Sequence, residues 1–144
     1  MTTAATYRFF DHTGDYGVDV DAPDAGAAYD AVAQAFAALL TDAPGCVARA
    51  EARALEVTGV DAAATLVAFG NELLYLFEAE GFLGAGFAAT SVAPGRVTGD
   101  LWGAPFDPAR HPIARPAKAV THHAAAFDED PRTGRVRARL IFDL

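Results

Sequence analysis

The 144-residue sequence is poor in cysteine and in basic charge. Cys46 is its single cysteine, which excludes an internal disulfide framework and a cysteine-rich zinc site. Nineteen acidic residues against eleven basic ones give a net charge of −8. Proteins that track nucleic-acid phosphates normally carry the opposite sign, so we expect no direct high-affinity binding to RNA or DNA. A basic protein or a cation is the more natural partner.

The sequence also lacks a long uninterrupted apolar run. Residues 1–7 contain neither the basic region nor the apolar core of a signal peptide. Asp30 and Gln34 interrupt the longest alanine-rich stretch, so no segment predicts a membrane span. The composition, 52% hydrophobic and 21% charged, is typical of a folded domain. We therefore expect a cytoplasmic protein with a single domain over residues 1–144 and no membrane partner.

Alternating strand-like and helix-like segments predict an α+β fold. Asp24 and Asp61 are predicted N-caps of two helices, and the second helix ends before Gly81. Apolar residues at helical spacing predict the buried faces, which are Tyr29, Val32, Phe36, Leu39 and Leu40, then Leu66, Phe69, Leu73, Leu74 and Phe77. Strands are predicted at 7–10, 16–20, 51–58, 82–92, 96–102, 118–127 and 135–142. The order ββαβαββββ favours two helices packed on one face of a mainly antiparallel sheet.

Charge is distributed unevenly along the chain. The first 48 residues contain seven aspartates and a single base, Arg8. The last thirteen residues contain four arginines that alternate with apolar residues, against Asp143 alone. The alternation predicts a strand with one solvated face. We expect that strand to neutralise an acidic neighbouring strand.

Two segments concentrate oxygen donors. The turn formed by residues 11–15, Asp-His-Thr-Gly-Asp, contains two carboxylates and an imidazole, which suit a hard cation or acid–base chemistry. An ordinary Asx turn is the alternative. At the other end, Asp143 precedes the free carboxylate of Leu144, and a cation would stabilise the two anionic groups; a frayed end is the alternative. Such donors suit Ca²⁺, Mg²⁺ or Mn²⁺ better than Zn²⁺.

Other segments give weaker indications. Four prolines stiffen the loop at 104–116, which is either a docking surface or an ordered connection. His122 and His123 are adjacent on a predicted strand and would point to opposite faces, so we interpret them as surface groups. The sequence contains no P-loop, no dinucleotide-binding fingerprint and no nucleophile with a nearby base.

Five segments together resemble the archease family over residues 7–144. They are DHTGD (11–15), NELLYLFEAEG (71–81), WGAPFDPARH (102–111), KAVTHH (118–123) and IFDL (141–144). Their order and spacing match the family, which makes the resemblance specific. The chain departs from the family at Gly14, where alanine is usual, at Tyr16, where a branched aliphatic residue is usual, and at His122, where tyrosine is usual. Gly14 loosens the turn that presents the following aspartate.

The resemblance implies a small α+β protein that activates an RNA ligase without performing the chemistry itself. That ligase depends on GTP and Mn²⁺, and joins 3′-phosphate or 2′,3′-cyclic phosphate ends to 5′-hydroxyl ends in tRNA splicing or RNA repair. The activator promotes guanylylation of the ligase and its repeated turnover. The resemblance also implies a divalent-cation site, calcium with Mg²⁺ or Mn²⁺ as alternatives. By motif position its ligands are Asp15, Asp143 and Leu144, with Asp11 as a further ligand or positioning residue.

Two other functions compete with this interpretation. A metal-dependent hydrolase would activate water with the cluster Asp11, His12, Asp15 and Asp143. Near that turn only Arg8 is available to stabilise developing negative charge, which disfavours hydrolysis. A general RNA-binding module is opposed by the net charge of −8.

Overall fold

The computed structural model describes residues 4–12, 15–41, 47–109, 111 and 119–143. Within these ranges it contains the predicted order ββαβαββββ. The strands are β1 Thr6–His12, β2 Asp15–Ala22, β3 Glu51–Thr58, β4 Phe82–Ala93, β5 Arg96–Pro105, β6 Ala119–Glu129 and β7 Val136–Asp143. The helices are α1 Ala25–Thr41 and α2 Ala62–Glu80. Neither helix is long and apolar enough to cross a membrane.

The strands form two antiparallel sheets, which confirms the α+β class and refines the single sheet that the pattern favoured. The larger sheet has the order β1-β2-β7-β6, and the smaller has the order β3-β5-β4. Helix α1 packs against β2 and β4, while α2 packs against β3, β4 and β6. Both helices therefore bridge the two sheets, and one continuous core contains residues from every layer.

The predicted helix boundaries and buried faces are confirmed. The Asp24 carboxylate accepts a hydrogen bond from the N–H of Ala27, and the Asp61 carboxylate does the same for Ala64, each at 2.8 Å. Gly81 ends α2 in the left-handed conformation, with φ of 64°, which glycine adopts without a Cβ clash. The predicted inward-facing residues are buried, except for Phe77, which is partly buried.

In each sheet, a helix side chain hydrogen-bonds to an edge strand. Asn71 of α2 accepts from the N–H of Val120 at 2.9 Å and donates to the carbonyl of the same residue at 3.1 Å. Asp30 of α1 accepts from the N–H of Phe87 on β4 at 2.8 Å. Unpaired edge groups otherwise invite pairing with another chain. These two side chains therefore tie one edge of each sheet to a helix.

We predict that Asn71→Ala lowers the free energy of unfolding by about 1–2 kcal/mol, because both peptide groups of Val120 lose their partner. Glu78→Gln is the control on the same helix, since Glu78 is exposed and makes no side-chain hydrogen bond to the described residues. Urea denaturation monitored by far-UV circular dichroism measures both variants. Equal stability of Asn71→Ala and the parent chain would show that water replaces the amide.

Candidate functional site

The pairing of β2 with β7 places Asp15 directly opposite Asp143. Directly opposed residues of an antiparallel pair project from the same face, so two predicted ligands from distant parts of the sequence share one location. His12 of β1 lies opposite Asp15, and Ala119 of β6 lies opposite Asp143. We call this line of four residues the acidic row; it crosses the larger sheet at one end.

The charge of the acidic row differs from that of the other rows on the same face. Farther along the pairing, Asp19 lies opposite Arg139, and Asp21 lies opposite Arg137. Opposite charges stabilise a cross-strand pair, whereas like charges directly opposite each other destabilise it. The pairing of Asp15 with Asp143 is of the second kind, and a bound cation would offset its repulsion. The donor set of carboxylate oxygens fits a hard divalent cation.

The acidic row supplies two carboxylates, those of Asp15 and Asp143. Among the described residues, no three His, Cys, Asp or Glu side chains form a group that could hold a metal. The predicted third ligand, Leu144, lies outside the described residues, as do Thr13 and Gly14 of the turn. Calcium takes roughly 6–8 oxygen ligands, so two carboxylates leave positions for water, main-chain or partner oxygens.

Asp11 does not belong to the acidic row. It lies opposite Tyr16, whose own partner on β7 is the fully buried Phe142. Successive residues of a strand point to opposite faces, so Asp11 and Asp15 lie on opposite faces of the sheet. This alternation disfavours Asp11 as a ligand beside Asp15. It also separates the four residues that the hydrolase hypothesis requires.

Ion pairs farther along the same face confirm the predicted neutralisation of acidic and basic strands. Arg139 binds both carboxylate oxygens of Asp19, through Nε at 2.7 Å and Nη2 at 2.9 Å. Arg135 forms an ion pair with Asp21. The hydrogen-bonded guanidinium of Arg139 holds the pKa of the Asp19 carboxyl below its ordinary value. Arg139 also lies 4.5 Å from the ring centroid of Phe10, so one β7 side chain contacts both β1 and β2.

A close aromatic contact fixes the hairpin beside the acidic row. The ring of Phe10 covers Gly17, where any Cβ would collide with it. Gly17 lies opposite Ile141, which is fully buried. These residues form the row adjacent to Asp15 and Asp143, because they precede or follow them by two positions. The carboxylates therefore extend from a tightly packed part of the sheet.

The described part of the proline-rich segment supports the ordered-connection interpretation. The Asp107 carboxylate accepts from the N–H of Ala109 at 3.0 Å, and the N–H of Asp107 donates to His111 Nδ1 at 2.9 Å. His111 is buried and stacks on Phe106 with ring centroids 5.9 Å apart. Trp102, which is 37% exposed, lies on β5 of the smaller sheet, whereas the acidic row lies in the larger sheet.

His122 and His123 are exposed, as predicted, but the structural reason differs. Residues 122–125 of β6 stand opposite Leu140 alone, so both histidines lie in a bulge and not in a regular strand. Ala124 within the bulge has a φ of 56°, a conformation that alanine rarely adopts. Alternation along a regular strand therefore does not determine where these two side chains point.

We predict a specific acid sensitivity from the lowered pKa of Asp19. A carboxyl whose folded-state pKa is depressed contributes stability above its unfolded pKa, near 4, and loses it as the pH falls through the lower folded value. The contribution should be at most about 1 kcal/mol, because both partners are partly exposed. At neutral pH the parent chain should have a higher urea midpoint than Asp19→Asn, and at acidic pH the two midpoints should converge. A difference that persists unchanged in acid would contradict the ion-pair origin.

Comparisons with known proteins agree with this architecture. The sequence model of the Archease protein family matches residues 7–144. The archease protein of Pyrococcus furiosus is 29% identical over 141 residues, spanning 96% of this chain and 98% of the relative. That of Pyrococcus abyssi is 28% identical with the same coverage. The solution structure of Methanobacterium thermoautotrophicum protein 1598 has a TM-score of 0.74 and 26% identity, covering 96% of this chain and 98% of its own. The near-complete family match and the shared fold show that this chain belongs to the archease family.

Proposed function

We propose that this chain is a non-catalytic activator of a GTP- and Mn²⁺-dependent RNA ligase that acts on 3′-phosphate ends. It promotes guanylylation and multiple turnover of the ligase in tRNA splicing or RNA repair. The observation that carries the proposal is the placement of Asp15 opposite Asp143. Family membership supports the activity, and the register supports a cation-dependent site at one end of the sheet.

Asp15 and Asp143 would hold the cation, with Leu144 as a third ligand. A bound divalent ion supplies fixed positive charge and exchangeable coordination positions for oxygen groups. The chain's own contribution is to orient the carboxylates, which the β2–β7 pairing and the Phe10–Gly17 contact do. Calcium is the favoured ion, with Mg²⁺ or Mn²⁺ as alternatives, because all donors are hard oxygens.

The charge of the chain supports a basic protein partner. An RNA ligase needs a basic surface for its substrate, and a net charge of −8 favours association with such a surface. The same charge opposes direct high-affinity RNA binding by this chain alone. The hydrolase alternative has less support, since it needs Asp11 beside Asp15 and strand alternation separates them.

We predict opposite effects of Asp143→Asn on thermal stability with and without a divalent cation. Without the cation, the variant should melt at or above the temperature of the parent chain, because the like-charge pair is removed. With calcium well above its dissociation constant, the parent chain should gain about 5 °C or more, whereas Asp15→Asn and Asp143→Asn should gain little. Asp128→Asn is the control, with the same charge change outside the acidic row. Differential scanning fluorimetry measures all four, and a parent chain indifferent to Ca²⁺, Mg²⁺ and Mn²⁺ would refute the cation site.

A ligation assay tests the activation itself. With limiting ligase, GTP and Mn²⁺, the parent chain should convert a single round of ligation into multiple turnover. Asp15→Asn should reduce this stimulation by about tenfold or more, in line with losses at metal sites, while Asp128→Asn should retain it. No stimulation by the parent chain would overturn the activator function. Full stimulation by Asp15→Asn would overturn only the role of the cation.

A further inference from the structure

The face of the larger sheet that is turned away from the helices carries a hollow near the acidic row. The hollow has a volume of about 540 Å³ and lies across β1, β2 and β7. Its charged lining residues are Arg8, Asp19, Asp21, Arg137 and Arg139. A second hollow of about 290 Å³ adjoins it on the β6 side and also involves Arg137 and Arg139. The volume of the hollow across β1, β2 and β7 is in the range of small-ligand sites.

The carboxylates of the larger hollow already have arginine partners. Arg139 takes both oxygens of Asp19, and Arg135 pairs with Asp21. Arg137 lies between Asp21 of β2 and Asp128 of β6 in the strand register, yet its guanidinium makes no ion pair or hydrogen bond to the described residues. The N–H donors of Arg137 are therefore unused among the described residues.

Arg8 is similarly underused. Its side chain is 82% exposed and reaches Asp19 only at 3.7 Å, a carboxylate that Arg139 already binds on both oxygens. Arg8 belongs to β1 and Arg137 to β7, so the two guanidiniums stand on either side of β2. Each guanidinium offers five N–H donors in a planar fork. The hollow thus presents unused donors from two directions.

The chemistry of these donors favours phosphate over a carboxylate. Guanidinium groups bind both anions bidentately. A planar carboxylate presents its two oxygens to one fork, whereas a tetrahedral phosphate presents oxygens in several directions. Arg8 and Arg137 approach from different strands, so a phosphate can accept from both. The hollow itself is lined by three arginines (8, 137 and 139) and two aspartates (19 and 21), so its local charge is positive in a chain of net charge −8.

We propose that Arg8 and Arg137, with Arg139 as the structural centre of the hollow, form a phosphate-binding site. Its ligand is a phosphate group, either the terminal phosphate of an RNA end or that of a free nucleotide-sized compound. The site goes beyond ligase activation and does not depend on it, because its residues lie outside the acidic row and its ligand is measured without the ligase.

Isothermal titration calorimetry of the full chain with sodium pyrophosphate tests the site. The buffer contains EDTA, so that a cation at the acidic row does not mediate binding. The parent chain should bind with a dissociation constant between roughly 10 μM and 1 mM, and the double variant Arg8→Gln/Arg137→Gln should bind at least about tenfold more weakly. Arg96→Gln is the matched control: Arg96 is an exposed arginine on β5 that pairs with Glu56 outside the hollow. It should bind like the parent.

Two short RNAs distinguish the sources of the phosphate. Tighter binding of a 3′-phosphate RNA than of the same RNA with a 3′-hydroxyl, lost in the double variant, would assign the site to an RNA end. Binding of pyrophosphate without that difference would assign it to a small phosphorylated compound. No binding of any probe up to about 10 mM, or unchanged binding by the double variant, would overturn the site. Matching melting temperatures of the variants and the parent confirm that folding is intact.

Discussion

The antiparallel register of β2 with β7 is the constraint on which the rest of the structure depends. It pairs Val18 with Leu140, both fully buried, and places their neighbours along each strand, such as Asp19 and Arg139, on the opposite face. A slip of one residue would move these apolar side chains to solvent, so burial fixes the register strongly. The opposition of Asp15 and Asp143 is then a consequence of the core. The apolar face holds in place two carboxylates that would otherwise separate.

The charged rows support the same register. Asp19 with Arg139, and Asp21 with Arg137, have opposite charges in the observed alignment, whereas a slip of one residue would place each aspartate opposite an apolar residue. Individual ion pairs at such exposed positions contribute little to stability, so they reinforce a register that burial fixes. The like-charged pair at the end of β2 and β7 is the exception to this pattern. Departures from local consistency concentrate at functional sites, which gives the exception its weight in assigning function.

Sequence patterns predicted where the helices and strands lie better than they predicted which strands pair. Helix caps such as Asp61 and the left-handed Gly81 depend on neighbouring residues, so the sequence contains enough information to locate them. The division into two sheets, the bulge at 122–125 and the face occupied by Asp11 depend on pairing between distant strands. Periodicity in one segment carries no information about which strand lies opposite. Without the register, only the resemblance to a family connects Asp15 with Asp143.

The acidic row and the arginine hollow share a face but have separate chemistry. Asp15 and Asp19 are four residues apart on β2, which corresponds to about 13 Å along a strand. Phe10 and Gly17 occupy the intervening row and are in close contact, so no single phosphate or cation contacts both sites. Arg139 nevertheless links them mechanically, because it binds Asp19 and lies over Phe10. A ligand that displaced Arg139 would loosen the hairpin that presents Asp15, whereas one held by Arg8 and Arg137 would leave that hairpin in place.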